Sequence, residues 1–178
     1  GRVFGWGRNS MGELGLGKAT EGALPPTEIP ALRGAKSLVV SGAGALVKAD
    51  GTVWAWGGGQ QGGLGDGHVA DTMDAPVLEP IRVPGIANAV EIKRGSFGRH
   101  IIVRLANNTL IGWGNSDWGQ LGAGVIGFHQ PSPKPIRLPN VQDYWLGGNY
   151  TFVKTTDGTL WFFGHRDGIR PILGPAMQ

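Results

Sequence analysis

The sequence predicts an all-β chain folded as a β-propeller of four-stranded blades, about three full blades plus a partial one. Three observations predict it. A glycine frame recurs without insertion or deletion: Trp-Gly, four free positions, Gly, one free position, Leu-Gly, one free position, Gly. Its copies begin at Trp6, Trp56 and Trp113. The copies are 50 and 57 residues apart, and a strand of the same kind ends at Phe163-Gly164, another 50 residues on. Each period has room for four short strands punctuated by Gly and Pro, and no stretch carries an apolar helical stripe with caps. A fixed period of this length, all β, describes propeller blades.

The first strand of each period leads into the glycine frame: Val3-Phe4-Gly5-Trp6-Gly7, Val53-Trp54-Ala55-Trp56-Gly57, Leu110-Ile111-Gly112-Trp113-Gly114 and Leu160-Trp161-Phe162-Phe163-Gly164. These segments are apolar on both faces, as in sheets stacked between neighbours. Their middle residue is Gly5, Ala55, Gly112 and then Phe162, and a small residue there allows close backbone approach. A Pro-flanked passage follows the frame, at Leu24–Pro30, Pro80–Pro84 and Pro135–Pro139. Alternating residues flanked by Pro suit an edge strand, where a missing N–H does no harm.

A third run follows, at Ser37–Val40, Ala89–Ile92 and Val141–Trp145, and then a hairpin. The hairpins close at Asp50-Gly51, Asn107-Asn108 and Asp157-Gly158. Asp-Gly predicts a type I′ turn with positive φ at both central residues, and Asn-Asn can adopt the same conformation at more cost. The whole chain, 1–178, reads as one domain with repeats at about 3–52, 53–109 and 110–159 and a partial one at 160–178.

These residues resemble repeats of the regulator of chromosome condensation family: the Trp-Gly…Gly-x-Leu-Gly frame, the Pro passage and the hairpin closed by Asp-Gly. The resemblance covers nearly the whole chain and implies a propeller, usually of about seven blades. It also implies that the hairpin strand opens with His, seven residues before the turn. The residues at that place are Ala43, His100 and Tyr150, so one repeat keeps it. After Gly164 the frame degenerates into His165-Arg166-Asp167-Gly168. Three repeats and a remainder leave open strand edges, so another copy, a further segment or a tight partner is expected to complete the ring, a two-fold dimer being the simplest version.

Composition excludes several classes. Thirty-three Gly and 12 Pro would suggest low complexity, but many glycines fall at recurring places, and seven Trp with 40% apolar residues argue for a folded protein. There is no Cys, hence no disulfide or thiolate metal site. No apolar run approaches the ~20 residues of a membrane span, and localisation is otherwise open. The chain starts Gly1-Arg2-Val3-Phe4, neither a signal peptide nor an initiator Met, which implies a processed product or a piece of a longer protein. The net charge of +3 comes from scattered basic residues and does not imply nucleic acid.

Chemistry finds little support. Gly57-Gly58-Gly59-Gln60-Gln61-Gly62 matches G-x-G-x-x-G, but the repeat explains its glycines and no helix follows. Asp66, His68, Asp71 and Asp74 form a polar cluster without EF-hand spacing, read as a solvated loop. The four His are far apart, and His100 reads as a blade-core residue rather than a general base. No Gly-x-Ser-x-Gly elbow and no paired carboxylates at strand ends are present. The Asn107 and Asn149 sequons are read as accidental. No cofactor, metal or catalytic residue is expected.

The expected function is a non-catalytic scaffold that binds a protein partner. Trp6, Trp56, Trp113, Trp54 and Trp161 hold repeated strand positions and are expected in the core. Trp118 occupies a free loop position where the other copies have Met11 and Gln61, so it is the candidate anchor. The four free positions of each frame are Arg8-Asn9-Ser10-Met11, Gly58-Gly59-Gln60-Gln61 and Asn115-Ser116-Asp117-Trp118, expected as a row of loop tips on one face. The candidate contact residues are Arg8, Asn9, Met11, Gln60, Gln61, Asn115, Asp117 and Trp118. Weaker candidates are Tyr150, Trp145 and Phe128-His129. The resemblance implies exchange factors for small GTPases, chromatin platforms or secreted β-lactamase inhibitors as uses. A propeller lectin stacking sugars on Trp and Asn is the alternative from another class. An enzyme would need titratable groups converging in a central channel.

Overall fold

The computed structural model describes residues 1–71, 74–96, 100–122 and 128–164, and the backbone of 170–173. Fourteen strands run in chain order: β1 Phe4–Arg8, β2 Ala23–Glu28, β3 Ala35–Ser41, β4 Ala43–Lys48, β5 Val53–Gly57, β6 Val77–Arg82, β7 Ala89–Arg94, β8 His100–Leu105, β9 Leu110–Gly114, β10 Gln130–Ile136, β11 Val141–Leu146, β12 Tyr150–Thr155, β13 Leu160–Gly164 and β14 Arg170–Leu173. They form antiparallel blades in simple order: β3-β4-β5-β6 is blade one, β7-β8-β9-β10 blade two and β11-β12-β13-β14 blade three. The pair β1-β2 is half a blade. A single short 3₁₀ turn, Pro30–Leu32, is the one helical element among the described residues. The fold is the expected partial propeller.

The inner strands β3, β7 and β11 lie beside one another, and the Pro-rich strands β6 and β10 are the outer edges. The sheets are out of phase with the sequence period. Each complete blade takes its inner pair from one repeat and its outer pair from the next. The pair β1-β2 is an outer pair of this kind, and no inner pair joins it among the described residues.

The hairpin turns differ from the type I′ expectation. Only the second residue of each has positive φ: 77° at Gly51, 62° at Asn108 and 87° at Gly158. Gly51 N–H donates to the Lys48 carbonyl, and Lys48 N–H to the Thr52 carbonyl. This is a three-residue loop, a turn followed by a left-handed residue. The reason is the first side chain: Asp50, Asn107 and Asp157 each accept the N–H of the Thr two residues on, Thr52, Thr109 and Thr159. The Asx–backbone bond selects this loop. Asn tolerates the left-handed place that Gly fills elsewhere.

Three apolar cores lie between neighbouring sheets. One joins the half-blade to blade one (Ile29, Leu32, Leu46, Trp56), one joins blades one and two (Ala45, Ala55, Ile92, Ile101, Trp113), and one joins blades two and three (Ile102, Leu121, Tyr144, Phe163). The glycine frame builds these joints. The Trp56 indole N–H donates to the Glu13 carbonyl at 2.9 Å, and that of Trp113 to the Gly63 carbonyl at 3.3 Å. Gly65, at φ 71°, lies beneath the Trp113 ring, and a Cβ there would stand 2.8 Å from the indole nitrogen. Gly17 and Gly67 then donate to Leu78 and Pro131 on the next blade's outer strand. Each frame is thus a clasp that the following blade closes.

That explains a departure from the expected core. Trp56 and Trp113 are fully buried, but Trp6 is 67% exposed, and among the described residues no preceding glycine frame lies against its ring. Trp54 and Trp161 are half-buried at the rim, their indoles donating to Thr52 and Thr155 hydroxyls. Phe162 also has a physical reason. A Cβ at Gly112 would meet Leu121 at 2.9 Å and Ile136 at 3.2 Å, both from its own blade. The sequence after β13 lacks the Gly-x-Leu-Gly frame, and the Phe162 ring packs against Phe152 and Tyr150. The degenerate stretch 165–169 itself lies outside the described residues.

Polar joints supplement the apolar ones. His100 is buried, its Nε2 3.1 Å from the Thr151 hydroxyl, which donates to the Gln120 carbonyl at 2.8 Å. It sits in the blade core, not near a reactive cluster. Lys93 reaches across to Asp143 (3.0 Å) and the Tyr144 carbonyl (2.8 Å), while Arg104 pairs with Glu91 (3.0 Å). Desolvation pulls the Asp143 carboxyl up, but Lys93 and the Tyr144 N–H hold it below the usual carboxylate range. Burial, with Glu91 nearby, pushes the Tyr144 phenol up, so it stays neutral.

Candidate functional site: the long-loop face

The connections after β1, β5 and β9 share one face with the β3–β4, β7–β8 and β11–β12 turns, because antiparallel strands return to the same end. The Asp-Gly turns lie on the opposite face. Functional candidates therefore gather on the long-loop face.

The free positions do not all point outward. Asn9 is fully buried: its carboxamide donates to the Lys18 carbonyl at 2.8 Å and accepts the Leu14 N–H at 3.0 Å. Asn115 is 5% exposed and bonds within its own loop to Asp117 and Gln120. Both were candidate contact residues; the structure makes them loop clasps, since an amide that satisfies buried backbone groups is not available to a partner. Gly59 and Ser116, the second free positions of their loops, are buried too. Outward-facing variation sits at the third and fourth positions: Ser10-Met11, Gln60-Gln61 and Asp117-Trp118. Met11 and Trp118 are exposed, while Gln60, Gln61 and Asp117 are half-buried.

Two of the three tip residues are held by the side chain two positions on; the second frame has Gly63 there. Glu13 accepts the Met11 N–H at 2.8 Å, and Gln120 accepts the Trp118 N–H at 2.9 Å. Glu or Gln two residues after the tip was the available signal. Arg8 is exposed; its Nε donates to the Ser10 hydroxyl at 2.7 Å and lies 3.4 Å from Glu13.

Trp118 edges a small apolar groove of about 160 Å³ with Asn149, Tyr150 and Phe162. Tyr150, Phe152 and Phe162 stack on one another, with ring centroids 5.2 to 6.3 Å apart. Trp145 and Phe128 are also exposed on this third of the chain. Asp117 lies 3.5 Å from His129. The acidic loop is an exposed hydrogen-bonded turn: Asp74 accepts the Asp71 N–H at 2.8 Å and stands 3.4 Å from His68, and these bonds hold its carboxyl below the usual range. Among the described residues, no three His, Cys, Asp or Glu gather as metal ligands, and no helix is long and apolar enough to cross a membrane.

Comparison with known proteins follows the architecture. Residues 1–45 and 50–103 match the family model "Regulator of chromosome condensation (RCC1) repeat". The chain is 36% identical over 169 residues to the ultraviolet-B receptor UVR8 of Arabidopsis thaliana, covering 92% of this chain and 37% of that protein. It is 28% identical to the human probable E3 ubiquitin-protein ligase HERC6, over 92% of this chain and 16% of the relative. The crystal structure of Prp20p from Saccharomyces cerevisiae, a protein described with its binding to Gsp1p and histones, superposes with a TM-score of 0.69 at 24% identity, over 94% of this chain and 40% of that one. Human WBSCR16 superposes with a TM-score of 0.71 at 22% identity, over 91% and 42%. The chain thus spans well under half the length of these relatives, and the two structures speak for the fold alone.

Proposed function

The chain belongs to the regulator of chromosome condensation (RCC1) repeat family, and on that premise we propose that it is a non-catalytic platform whose long-loop face binds a protein partner. The carrying observation is the contrast within each loop. The glycines, Leu14, Leu64 and Leu121 lock blade to blade, while the tips above them differ in size and polarity: Met11, Gln61 and Trp118. Trp118, with Tyr150 and Phe162 beside it, is the anchor in this reading, because aromatic side chains in partly desolvated grooves carry a large share of interface energy. Asp117, Gln60, Gln61, Arg8 and Met11 are its polar and apolar surround.

The test is a displayed-peptide library panned on the native protein and rescored on Trp118→Ala. The selected binders should lose at least about tenfold in affinity while the melting temperature holds. A lower melting temperature with unchanged binding would overturn the anchor role. The aromatic groove with its Asn149 amide favours a second reading, a sugar-stacking site. Signal on a glycan array that simple sugar competes away would select it.

We also propose that the ring is completed by strands from outside these fourteen. The alternative is a two-fold dimer, in which a second copy would have to supply the inner strands that β1-β2 is without among the described residues. Light scattering tests this: a discrete dimer mass would count for self-completion.

A further inference from the structure

We propose that the residue between the glycine and the leucine of each frame selects which way the tip peptide faces. Gln120 is by this means the positioning residue that presents Trp118 to a partner, a role that rests on the platform reading.

Three loops of one length carry three different residues at that place: Glu13, Gly63 and Gln120. In each loop a four-residue turn closes with the same bond. The Gly12 N–H donates to the Asn9 carbonyl at 3.2 Å, that of Gly62 to the Gly59 carbonyl at 3.2 Å, and that of Gly119 to the Ser116 carbonyl at 3.0 Å. The tip is the third residue of each turn: Met11, Gln61 and Trp118. Here the loops part. Gln61 has φ 58°, whereas Met11 and Trp118 are not left-handed, and neither are the second residues Ser10, Gln60 and Asp117. A positive φ at the third place alone marks a type II turn, and its absence at both central places marks type I. The two types differ by a half-rotation of the peptide between the second and third residues.

The hydrogen bonds record that rotation. In frames one and three the N–H of this peptide faces the frame: Met11 donates to Glu13 Oε2 at 2.8 Å, and Trp118 to Gln120 Oε1 at 2.9 Å. In frame two the carbonyl of the same peptide faces the frame: Gln60 accepts the Gly63 N–H at 3.2 Å. A trans peptide points its N–H and C=O opposite ways, so each loop has one or the other. Each arrangement suits its residue. An acceptor side chain holds the N–H. Glycine leaves room for the carbonyl, since a Cβ on Gly63 would stand 3.3 Å from the Gln60 oxygen.

Left-handed backbone is uncommon for a bulky side chain, and the Gln120 bond holds Trp118 out of it. Gln120 is fully buried, its Nε2 donates to Asn115 Oδ1, and its own carbonyl accepts the Thr151 hydroxyl. It is therefore no contact for a partner and acts through Trp118. A flipped peptide re-aims the Cβ of the tip, and with it the ring that edges the groove beside Tyr150 and Phe162.

Nuclear Overhauser contacts read the turn directly. In a type I turn the tip N–H lies near the preceding N–H, and in a type II turn near the preceding Hα. Native protein should show the first pattern at Met11 and Trp118 and the second at Gln61. Gln120→Gly should convert Trp118 to the second pattern and weaken the Trp118-dependent displayed peptides at least about tenfold. Gly63→Gln should convert Gln61 to the first pattern and leave those peptides within about twofold of native affinity. Should Gln120→Gly not fold, the Gln61 pattern in Gly63→Gln decides the selection. Unchanged patterns in the variants would overturn the proposal. So would a converted Trp118 turn that binds the peptides as tightly as native protein does. If the patterns convert but no Trp118-dependent peptide is found, the aromatic anchor falls, and with it the presenting role of Gln120, while the selection of the turn stands.

Discussion

Trp6 and Trp56 occupy the same place in the repeat, yet the first is 67% exposed and the second fully buried. Their strands and following glycines match; what differs is the neighbour. Trp56 lies on Gly15 and donates to the Glu13 carbonyl, both from the β1–β2 connection of the half-blade before it. No such sheet precedes Trp6 among the described residues. The tryptophan is therefore not a core residue of its own blade. It is the half of a joint whose other half is the preceding Gly-x-Leu-Gly.

The comparison can be broken most directly at a completed joint. Trp113→Ala should cost about 3–5 kcal/mol in chemical denaturation, the range for a fully buried large aromatic; a cost near that of an exposed site would sink the clasp. Gly65→Ala comes next, at about 2 kcal/mol or more, because the new Cβ is forced into a left-handed backbone and against the Trp113 ring. Thr151→Val removes the hydroxyl between His100 and the Gln120 carbonyl and should cost about 1–2 kcal/mol by leaving buried polar groups unsatisfied. Trp6→Ala, by the same denaturation assay, should change stability by about 0.5 kcal/mol or less, and a cost like that of Trp113→Ala would show that Trp6 is covered in solution.

The smallest effect concerns the half-blade's ion pairs. Hydrogen bonds from Arg2 and Arg33 lower the Glu28 carboxyl to about 2. A lowered folded value stabilises above the ordinary carboxylate range and loses its effect as pH falls toward the folded value. The difference in melting temperature between native protein and Glu28→Gln should accordingly be small, constant near neutrality, and vanish as pH drops from about 4.5 to about 2. Because the groups are exposed, added salt should shrink it at any pH. A difference that grows in acid would contradict the assignment.

Much of the fold was legible in the chain because the glycine frame is rigid in spacing: its positive-φ glycines cannot move without losing a turn. The edge character of the Pro passages was legible for the same reason, as Pro has no N–H to pair. The turn type was misread because Asp-Gly specifies only that the second residue is left-handed; the Asp–Thr bond, visible as Asp-Gly-Thr and Asn-Asn-Thr, decides the rest. The candidate site was half legible. Trp118 stood out as a large residue at a variable tip. Asn9 and Asn115 looked the same as the tips around them, since a polar loop residue reads alike whether it faces water or its own backbone. Phe162 stood out in the alignment, a Phe where the other repeats carry Gly or Ala, but nothing in the spacing placed its ring in the groove beside Trp118.

The way the chain passes from sheet to sheet has a mechanical consequence. The polypeptide finishes each sheet at its outer strand and crosses to the inner strand of the next, at 29–34, 83–88 and 137–140, so adjacent sheets are sewn together by the backbone as well as pressed together by their faces. Tension applied to the ends cannot slide one sheet off another; it must unravel them strand pair by strand pair. A duplicated segment of one period, inserted anywhere along such a thread, lengthens the seam without leaving a gap in it.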